Sequence, residues 1–183
     1  MVGFFMDGLN KMNWAQKLKA PEVKFPKGIF SFYLSHPFAS REYVRKWELG
    51  FEGRHPKIAL INPFYDVEGE GRDDVRARDA GEKFKKLPGY DWRLTQRDYI
   101  AICYSRAIVG IIDENAGKSI GTLMEFVMAR ALAKSPKLLI CTNEKLRGHP
   151  WLKTHFHKIY PSFEEFEEDV EKQVMRVQEK WGF

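Results

Sequence analysis

The chain reads AIVGIIDENAGKSIGTLMEFVMARA from Ala107 to Ala131, and this stretch decides the fold. Its first six residues are almost all apolar, which is typical of a parallel strand that is covered on both faces. A polar loop with a glycine follows, and from Ser119 onward the apolar residues suit a helix. The stretch therefore predicts a buried strand over Ala107–Ile112, a loop, and a helix over Ser119–Ala133.

Strands and helices alternate on both sides of this stretch. Runs rich in aromatic and β-branched residues predict four more strands, over Ile29–Leu34, Lys57–Ile61, Lys137–Cys141 and Lys158–Tyr160. Apolar residues at helical spacing predict further helices, over Arg41–Phe51 after an N-cap at Ser40, from Thr95 to about Ser105, and from Ser162 onward. This order predicts right-handed βαβ crossovers in a doubly wound, mainly parallel five-stranded sheet with helices on both faces.

The length of 183 residues suits a single α/β domain. Pro21 and Pro26 interrupt regular structure early in the chain, so we expect an N-terminal extension over residues 1–27 and one domain over residues 28–183. No apolar run approaches the roughly 20 residues of a membrane helix, and the N-terminus lacks signal-peptide features. Cys103 and Cys141 lie in apolar runs, which predicts buried, reduced thiols and a cytoplasmic protein.

The net charge of the chain and the distribution of its charged residues limit the classes of binding partner. The net charge is +5, from 30 basic and 25 acidic residues, which suits a nucleic acid or a small phosphorylated substrate. The basic residues are scattered among acidic ones and no nucleic-acid-binding motif occurs, so we expect a mixed solvated surface and no nucleic-acid partner. His155 and His157 have strand spacing but no third ligand at zinc-site spacing, and we expect neither a metal nor a cofactor.

Ligands bind a doubly wound sheet outside the carboxyl ends of its strands. In this sequence that rule selects the segments Ser35–Arg41, Asn62–Asp66 and Asp113–Thr122. In the third segment, Gly117-Lys118-Ser119 matches the end of a P-loop, but Ile112 stands where that motif requires glycine, which excludes a nucleotide triphosphatase.

The start of the helix at Ser119 is suited to an anion. The backbone N–H groups of Ile120, Gly121 and Thr122 and the helix dipole favour negative charge there. Gly121 also lets a ligand approach the backbone closely. A plain βα turn with a serine cap explains the same residues equally well.

Two carboxylates are candidates for chemistry. Glu125 lies two turns into the helix among apolar neighbours, which predicts a largely buried helix. A carboxylate in that setting is either paired with a base such as Arg130 or retained for chemistry. Asp98 precedes the central strand and is either a solvated first-turn residue or a second carboxylate at the same site. Two carboxylates over one site would supply a nucleophile and an acid–base group.

Five pieces of the sequence occur in a recognisable order. They are Phe32-Tyr33-Leu34 before a Ser-His-Pro turn, Asn62-Pro63-Phe64, Asp98 with Ile102 and Ser105, the strand Ala107–Asp113, and Ser119-Ile120-Gly121-Thr122-Leu123-Met124-Glu125. In this order the chain resembles the nucleoside 2-deoxyribosyltransferase-like family, which includes nucleoside 5′-monophosphate N-glycosidases. The resemblance spans residues 29 to 166.

The resemblance implies a flavodoxin-like sheet, a homo-oligomer (a dimer or larger) and a nucleoside or nucleotide substrate. It implies that Glu125 attacks the anomeric carbon, displaces the base and forms a glycosyl-enzyme ester. It also implies that Asp98 serves proton transfer toward the leaving base and that Tyr33 orients the catalytic carboxylate. Water or a second base would then resolve the ester, as in retaining glycoside hydrolysis.

The substrate contacts implied by the resemblance lie at the sheet edge, at His36, Arg41, Asn62, Ser119, Gly121 and Thr122. Two of them depart from the family pattern. His36 replaces the glycine of a Gly-Pro pair, and Ser119 replaces an aspartate that is common in the deoxyribosyltransferases. The monophosphate glycosidases carry a serine there that contacts the 5′-phosphate, so Ser119 favours a nucleotide substrate.

The sequence is also compatible with two other functions. One is a nucleotide-binding module without turnover, for which the His36-Pro37 departure and the long segment Phe64–Asp91 leave room. The other is an NAD-cleaving glycohydrolase of the TIR-like kind, which also uses a glutamate on a helix. The sequence leaves the base, the sugar and the acceptor undetermined.

Overall fold

The computed structural model describes residues 28–64, 98–116, 119–134 and 136–181. Their elements, in chain order, are β1 (Phe30–Ser35), a 3-10 turn (Phe38–Ser40), α1 (Arg41–Arg54), β2 (Ile58–Ile61), α2 (residues 98–104), β3 (Ala107–Ile112), α3 (Ile120–Ala131), β4 (Lys137–Cys141), α4 (Glu144–Arg147), α5 (Pro150–His155), β5 (Lys158–Tyr160) and α6 (Phe163–Trp181). The predicted extension over residues 1–27, the predicted cap Thr95 and nearly all of Phe64–Asp91 lie outside the described residues.

The described strands form one parallel sheet in the order β2-β1-β3-β4-β5. This is the flavodoxin-like order, and it confirms the predicted doubly wound sheet. The chain moves outward in one direction from β1 to β2 and in the other from β3 to β5. The carboxyl ends of β1 and β3 therefore flank the switch point, where such sheets bind their ligands.

Helices cover both faces of this sheet, as predicted. One face packs α1 and α6 against the strands through apolar side chains that include Val44, Phe51, Phe166 and Val170. The other face packs α2, α3 and α5 through Ile102, Phe126, Ala129 and Leu152, together with Phe156 directly after α5. Side chains alternate along a strand, so β1 directs Phe32 and Leu34 to the first face and Tyr33 to the second.

Gly110 determines how closely α3 approaches the sheet. A Cβ atom at Gly110 would lie 2.6 Å from Cε1 of Phe126 and 3.2 Å from Cδ1 of Leu139. The Phe126 ring also packs edge-on against Phe156, with centroids 4.8 Å apart. Phe126 follows Glu125 directly, so this contact sets the height of Glu125 above the strands.

The expectation that the glutamate helix is largely buried is wrong. In α3 only Thr122, Phe126 and Ala129 are buried, whereas Ile120 is 79% exposed and Met124 is 55% exposed. The helix lies on the sheet by one narrow face, and an apolar composition does not reveal which face that is. Arg130 reaches the carbonyl oxygen of Thr154 at 2.8 Å.

Three smaller expectations are also corrected. Ser40 stands at the predicted N-cap of α1, but its hydroxyl makes no cap bond and donates to Asp113 instead. Cys103 is exposed because it lies on the outer side of α2, whereas Cys141 is buried. His155 belongs to α5 and not to a strand that it would share with His157. The short helices α4 and α5 were not predicted.

The described part of the chain contains no helix that is both long enough and apolar enough to span a membrane.

Candidate active site

A carboxylate and two hydroxyl groups meet at the carboxyl end of β1. Tyr33 and Ser35 are two residues apart on this strand, so both side chains face α3. The Tyr33 hydroxyl donates to Glu125 Oε1 at 2.9 Å, and the Ser35 hydroxyl donates to Glu125 Oε2 at 2.5 Å. Tyr33 and Ser35 are fully buried and Glu125 is half-buried. The two donors fix the plane of the carboxylate beside the switch point.

This arrangement matches an ionised carboxylate. An ionised carboxyl group only accepts hydrogen bonds, and both of its oxygens here face a hydroxyl donor. Hydrogen bonds to a charged acceptor are shorter and stronger than neutral ones. Partial burial strengthens them further, because less water screens the charge. A carboxylate held in this way can stabilise a developing positive charge or attack an electrophilic carbon.

Asp113 connects the loop after β3 to the loop after β1. Its Oδ2 accepts from the hydroxyls of Ser40 and Tyr43, each at 2.5 Å, and its Oδ1 accepts from the Asn115 backbone N–H at 2.7 Å. Burial raises the pKa of Asp113, but the Ser40 and Tyr43 hydrogen bonds outweigh it and bring the pKa below its usual value. Burial and the Asp113 charge raise the pKa of Tyr43, so its phenol stays a donor. The network holds the two loops together across the switch point.

His36 follows β1 and Asn62 follows β2, and the two residues belong to one buried polar network at the carboxyl ends of these strands. The His36 ring nitrogens lie 3.1 Å from the Pro37 carbonyl oxygen and 3.3 Å from Asn62 Oδ1. Asn62 Nδ2 donates to Glu48 Oε2 at 2.8 Å, and Arg45 donates to Glu48 Oε1 at 2.8 Å. Burial lowers the pKa of His36 to about 4, so the ring is neutral at pH 7. These contacts fix the turns after β1 and β2, and substrate contacts of His36 and Asn62 stay predictions.

The start of α3 is capped as predicted. The Ser119 hydroxyl accepts from the Thr122 backbone N–H at 3.4 Å and lies 2.7 Å from the Thr122 hydroxyl. Thr122 is buried, whereas Gly121 is exposed, and a Cβ atom added at Gly121 would meet nothing within 4 Å. The segment therefore presents an open backbone next to a capping serine, and its predicted anion contact stays a prediction.

Two further predicted residues, Arg41 and Asp98, lie in α1 and α2. The Arg41 guanidinium donates to the Phe38 carbonyl oxygen at 3.2 Å and stacks over the Phe38 ring, 4.1 Å from its centroid. Asp98 is half-buried in α2, on the sheet face that also carries Tyr33 and α3. Their predicted roles in substrate binding and proton transfer stay predictions.

The sequence rule selects the segments that begin at Ser35 and Asp113, but it gives neither the Ser35 side chain nor the Asp113 network a role. A signal for Ser35 was present, because residues two apart on a strand share a face and Tyr33 was already a candidate. Asp113 follows the central strand directly, which is a position at the ligand edge. Its partners Ser40 and Tyr43 are more than 60 residues away in sequence, and no local pattern joins them to it.

Metal binding finds no support in the described part of the chain, where no group of three or more His, Cys, Asp or Glu side chains could hold an ion.

Among solved structures, the chain is similar to a 2-deoxyribosyltransferase from the psychrotolerant bacterium Bacillus psychrosaccharolyticus. The two chains are 18% identical with a TM-score of 0.57, over 75% of this chain and 90% of the other. At this identity the likeness shows a common flavodoxin-like fold, and a fold alone does not determine a reaction. No protein-family model matches the chain, and a search of curated proteins finds no match either.

Proposed function

We propose that this protein cleaves or transfers at the N-glycosidic bond of a (deoxy)nucleoside or its 5′-monophosphate, with Glu125 as the nucleophile. The observation that carries the proposal is the Glu125 carboxylate, which accepts from the Tyr33 and Ser35 hydroxyls at the ligand edge of a parallel sheet. The similar solved structure is a 2-deoxyribosyltransferase, which supports this class of reaction.

The chemistry follows from where charge develops. As the bond between sugar and base breaks, positive charge grows on the anomeric carbon, and a carboxylate in contact with that carbon stabilises it. A Glu125 oxygen forms a bond to the anomeric carbon while the electron pair of the carbon–nitrogen bond leaves with the base. Water or a second base then attacks the same carbon, and the pair in the ester bond returns to Glu125.

Asp98 is the proposed proton donor to the leaving base. It lies in α2, whose residues Ala101 and Ile102 pack in the same apolar cluster as Tyr33 and Phe126. The side of the sheet that carries Glu125 therefore also carries Asp98. A carboxylic acid beside the departing nitrogen would neutralise the charge that the base acquires.

The proposed phosphate site is the start of α3. The Ser119 hydroxyl, the exposed Gly121 backbone and the helix dipole suit an anion at this position. Thr122 is buried under the same turn and holds the Ser119 hydroxyl in place. Arg41, with its guanidinium at the edge after β1, supplies further positive charge, although its 3.3 Å ion pair with the exposed Glu42 offsets part of that charge.

A homo-oligomer is part of the proposal. Several large apolar side chains of α3 and α5 are exposed in the single chain, including Ile120, Met124 and Trp151, which is 68% exposed. Exposed apolar patches of this kind commonly become buried between protein subunits. Sedimentation velocity of the purified protein would give the oligomeric state, and a monomer at all concentrations would contradict this part of the proposal.

The function is tested by incubating the purified protein with ribonucleosides, 2′-deoxynucleosides, their 5′-monophosphates and NAD, with and without a free acceptor base. Released base is measured by chromatography. We expect release from at least one nucleoside or nucleotide, and loss of release in Glu125→Gln and Glu125→Ala. The matched control is Glu164→Gln, which removes an exposed carboxylate in α6 and should keep the wild-type rate.

Each contrary result has a definite meaning. Base release at the wild-type rate in pure Glu125→Ala protein would refute the nucleophile. Nicotinamide release from NAD alone would favour the TIR-like alternative. Tight nucleotide binding without any base release would favour a binding module.

A further inference from the structure

The two oxygens of the Glu125 carboxylate accept hydrogen bonds from different residues of β1. Tyr33 donates to Oε1, and Ser35 donates to Oε2. Ser35 is the last residue of β1, so it lies nearer than Tyr33 to the carboxyl edge. Ligands bind outside that edge. From this position of Ser35 we infer that Oε2, which bonds to Ser35, is nearer the ligand side than Oε1, which bonds to Tyr33.

On the basis of the proposed function, we propose that Oε2 is the attacking oxygen and that Ser35 is a positioning residue that speeds release of the sugar from Glu125. In the first step Oε2 forms a bond to the anomeric carbon, and the electron pair of the carbon–nitrogen bond leaves with the base. Oε2 becomes an uncharged ester oxygen, while the carbonyl remains on Oε1 with the Tyr33 hydrogen bond. The Ser35 bond is therefore strong to the free carboxylate and weak to the ester.

The second step reverses this change. Water attacks the anomeric carbon and gives its proton to solvent, or an acceptor base attacks through a ring nitrogen and loses the proton of that nitrogen to solvent. The carbon–Oε2 bond breaks and its electron pair returns to Oε2. Negative charge grows on Oε2 in this transition state, so the Ser35 hydroxyl donates to it with increasing strength. An interaction that is stronger in a transition state than in the preceding ground state accelerates that step.

Ser35 and Tyr33 therefore act at different stages of the reaction. Oε1 can accept the Tyr33 hydrogen bond in the carboxylate and in the ester, so Tyr33 orients Glu125 throughout. The Ser35 bond must weaken during attack and strengthen during release. Loss of the Ser35 hydroxyl should therefore spare base release in the first turnover and slow the second step by about tenfold to a hundredfold, the range for a hydrogen bond to a charged group.

Rapid-quench kinetics would test this with 2′-deoxyadenosine, 2′-deoxycytidine and their 5′-monophosphates as probes. For Ser35→Ala we expect a burst of about one base per enzyme, followed by a steady rate that is tenfold to a hundredfold below wild type. Intact-protein mass spectrometry of the quenched enzyme should show accumulated glycosyl-enzyme. Ser35→Cys retains a weak donor of similar size and should lie between wild type and Ser35→Ala. For Tyr33→Phe we expect a slower burst without accumulation of the ester.

Three outcomes would overturn the Ser35 assignment alone. In each of them wild type still releases base, so the proposed function is not contradicted. The first is an unchanged ratio of burst rate to steady rate in Ser35→Ala. The second is an equal slowing of both steps, which a packing role alone would produce. The third is accumulation of the ester in Tyr33→Phe but not in Ser35→Ala. If wild type releases no base from any nucleoside or nucleotide, the proposed function fails and the Ser35 role fails with it.

Discussion

Replacing Gly110 with alanine should move the helix that carries Glu125. The new Cβ atom would lie 2.6 Å from Phe126 Cε1 and 2.7 Å from Phe126 Cζ, inside the roughly 3.5–4.0 Å at which carbon atoms pack. Phe126 is confined on its other side by Phe156, with ring centroids 4.8 Å apart. The ring therefore cannot simply swing away, and about 1 Å of displacement must be shared by the ring and α3.

The size of the effect follows from this displacement. Inserting a methyl group into a packed core costs about 1–3 kcal/mol of unfolding free energy. Glu125 directly precedes Phe126, so a shift of α3 also moves the carboxylate relative to the hydroxyls of Tyr33 and Ser35. A 1 Å misplacement of a reacting group costs on the order of 100-fold in rate, and α3 takes only part of the displacement, so about 100-fold is the upper end of the expected loss. We therefore expect a loss of catalysis that is larger than the loss of stability alone would produce.

Two assays separate these effects, namely urea unfolding for stability and base release by folded protein for catalysis. Gly53→Ala in α1 is the matched control, since its Cβ atom meets nothing within 4 Å and alanine favours a helix. It should leave the rate unchanged and keep or raise stability. The double variant Gly110→Ala with Phe126→Leu should regain part of both losses, because a smaller side chain faces the new methyl group. Wild-type stability and rate in Gly110→Ala, or strictly additive losses in the double variant, would refute the reasoning.

The buried network at the sheet edge gives two further predictions. The pKa of His36 falls from 6.5 to about 4 on folding, because burial disfavours the charged ring. Between these values the unfolded chain binds a proton that the folded chain does not, so stability falls as the pH falls. Between pH 7 and pH 4.5, His36 should therefore lower the unfolding free energy of wild type by about 2 kcal/mol. In urea unfolding at both pH values, the unfolding free energy of His36→Gln should fall by correspondingly less. An equal fall in wild type and variant would contradict the assignment. Glu48→Gln removes the negative charge that the buried Arg45 guanidinium contacts and should lower the unfolding free energy by about 3–5 kcal/mol. The control Glu52→Gln, on the less buried side of α1, should lower the unfolding free energy by less. Equal losses in the two variants would show that the buried pair carries no special weight.

The sequence predicted the elements that carry strong local signals. The all-apolar run of β3 and the runs of β4 and β5 gave strand bounds that the structure confirms. The helix that carries Glu125 was placed to within a residue at its start and two at its end. The short helices α4 and α5 were missed because four to six residues are too few to establish a helical period.

The parts of the site that were missed depend on tertiary contacts. The spacing puts Ser35 on the same face of the strand as Tyr33, but the almost continuous apolar run before Ser35 does not show which helix layer that face contacts. The bonds from Ser40 and Tyr43 to Asp113 join residues that are 73 and 70 positions apart. The exposure of α3 likewise depends on how one helix lies on the sheet, which its composition does not encode.

The central claim is that a Glu125 oxygen forms a bond to the sugar. It is tested most directly by quenching turnover with acid, digesting the protein and mapping the modified peptide by mass spectrometry. We predict a sugar adduct on the peptide that contains Glu125, formed in wild type and absent from Glu125→Gln. Base release by wild type without an adduct on that peptide, together with base release by Glu125→Gln at the wild-type rate, would contradict it.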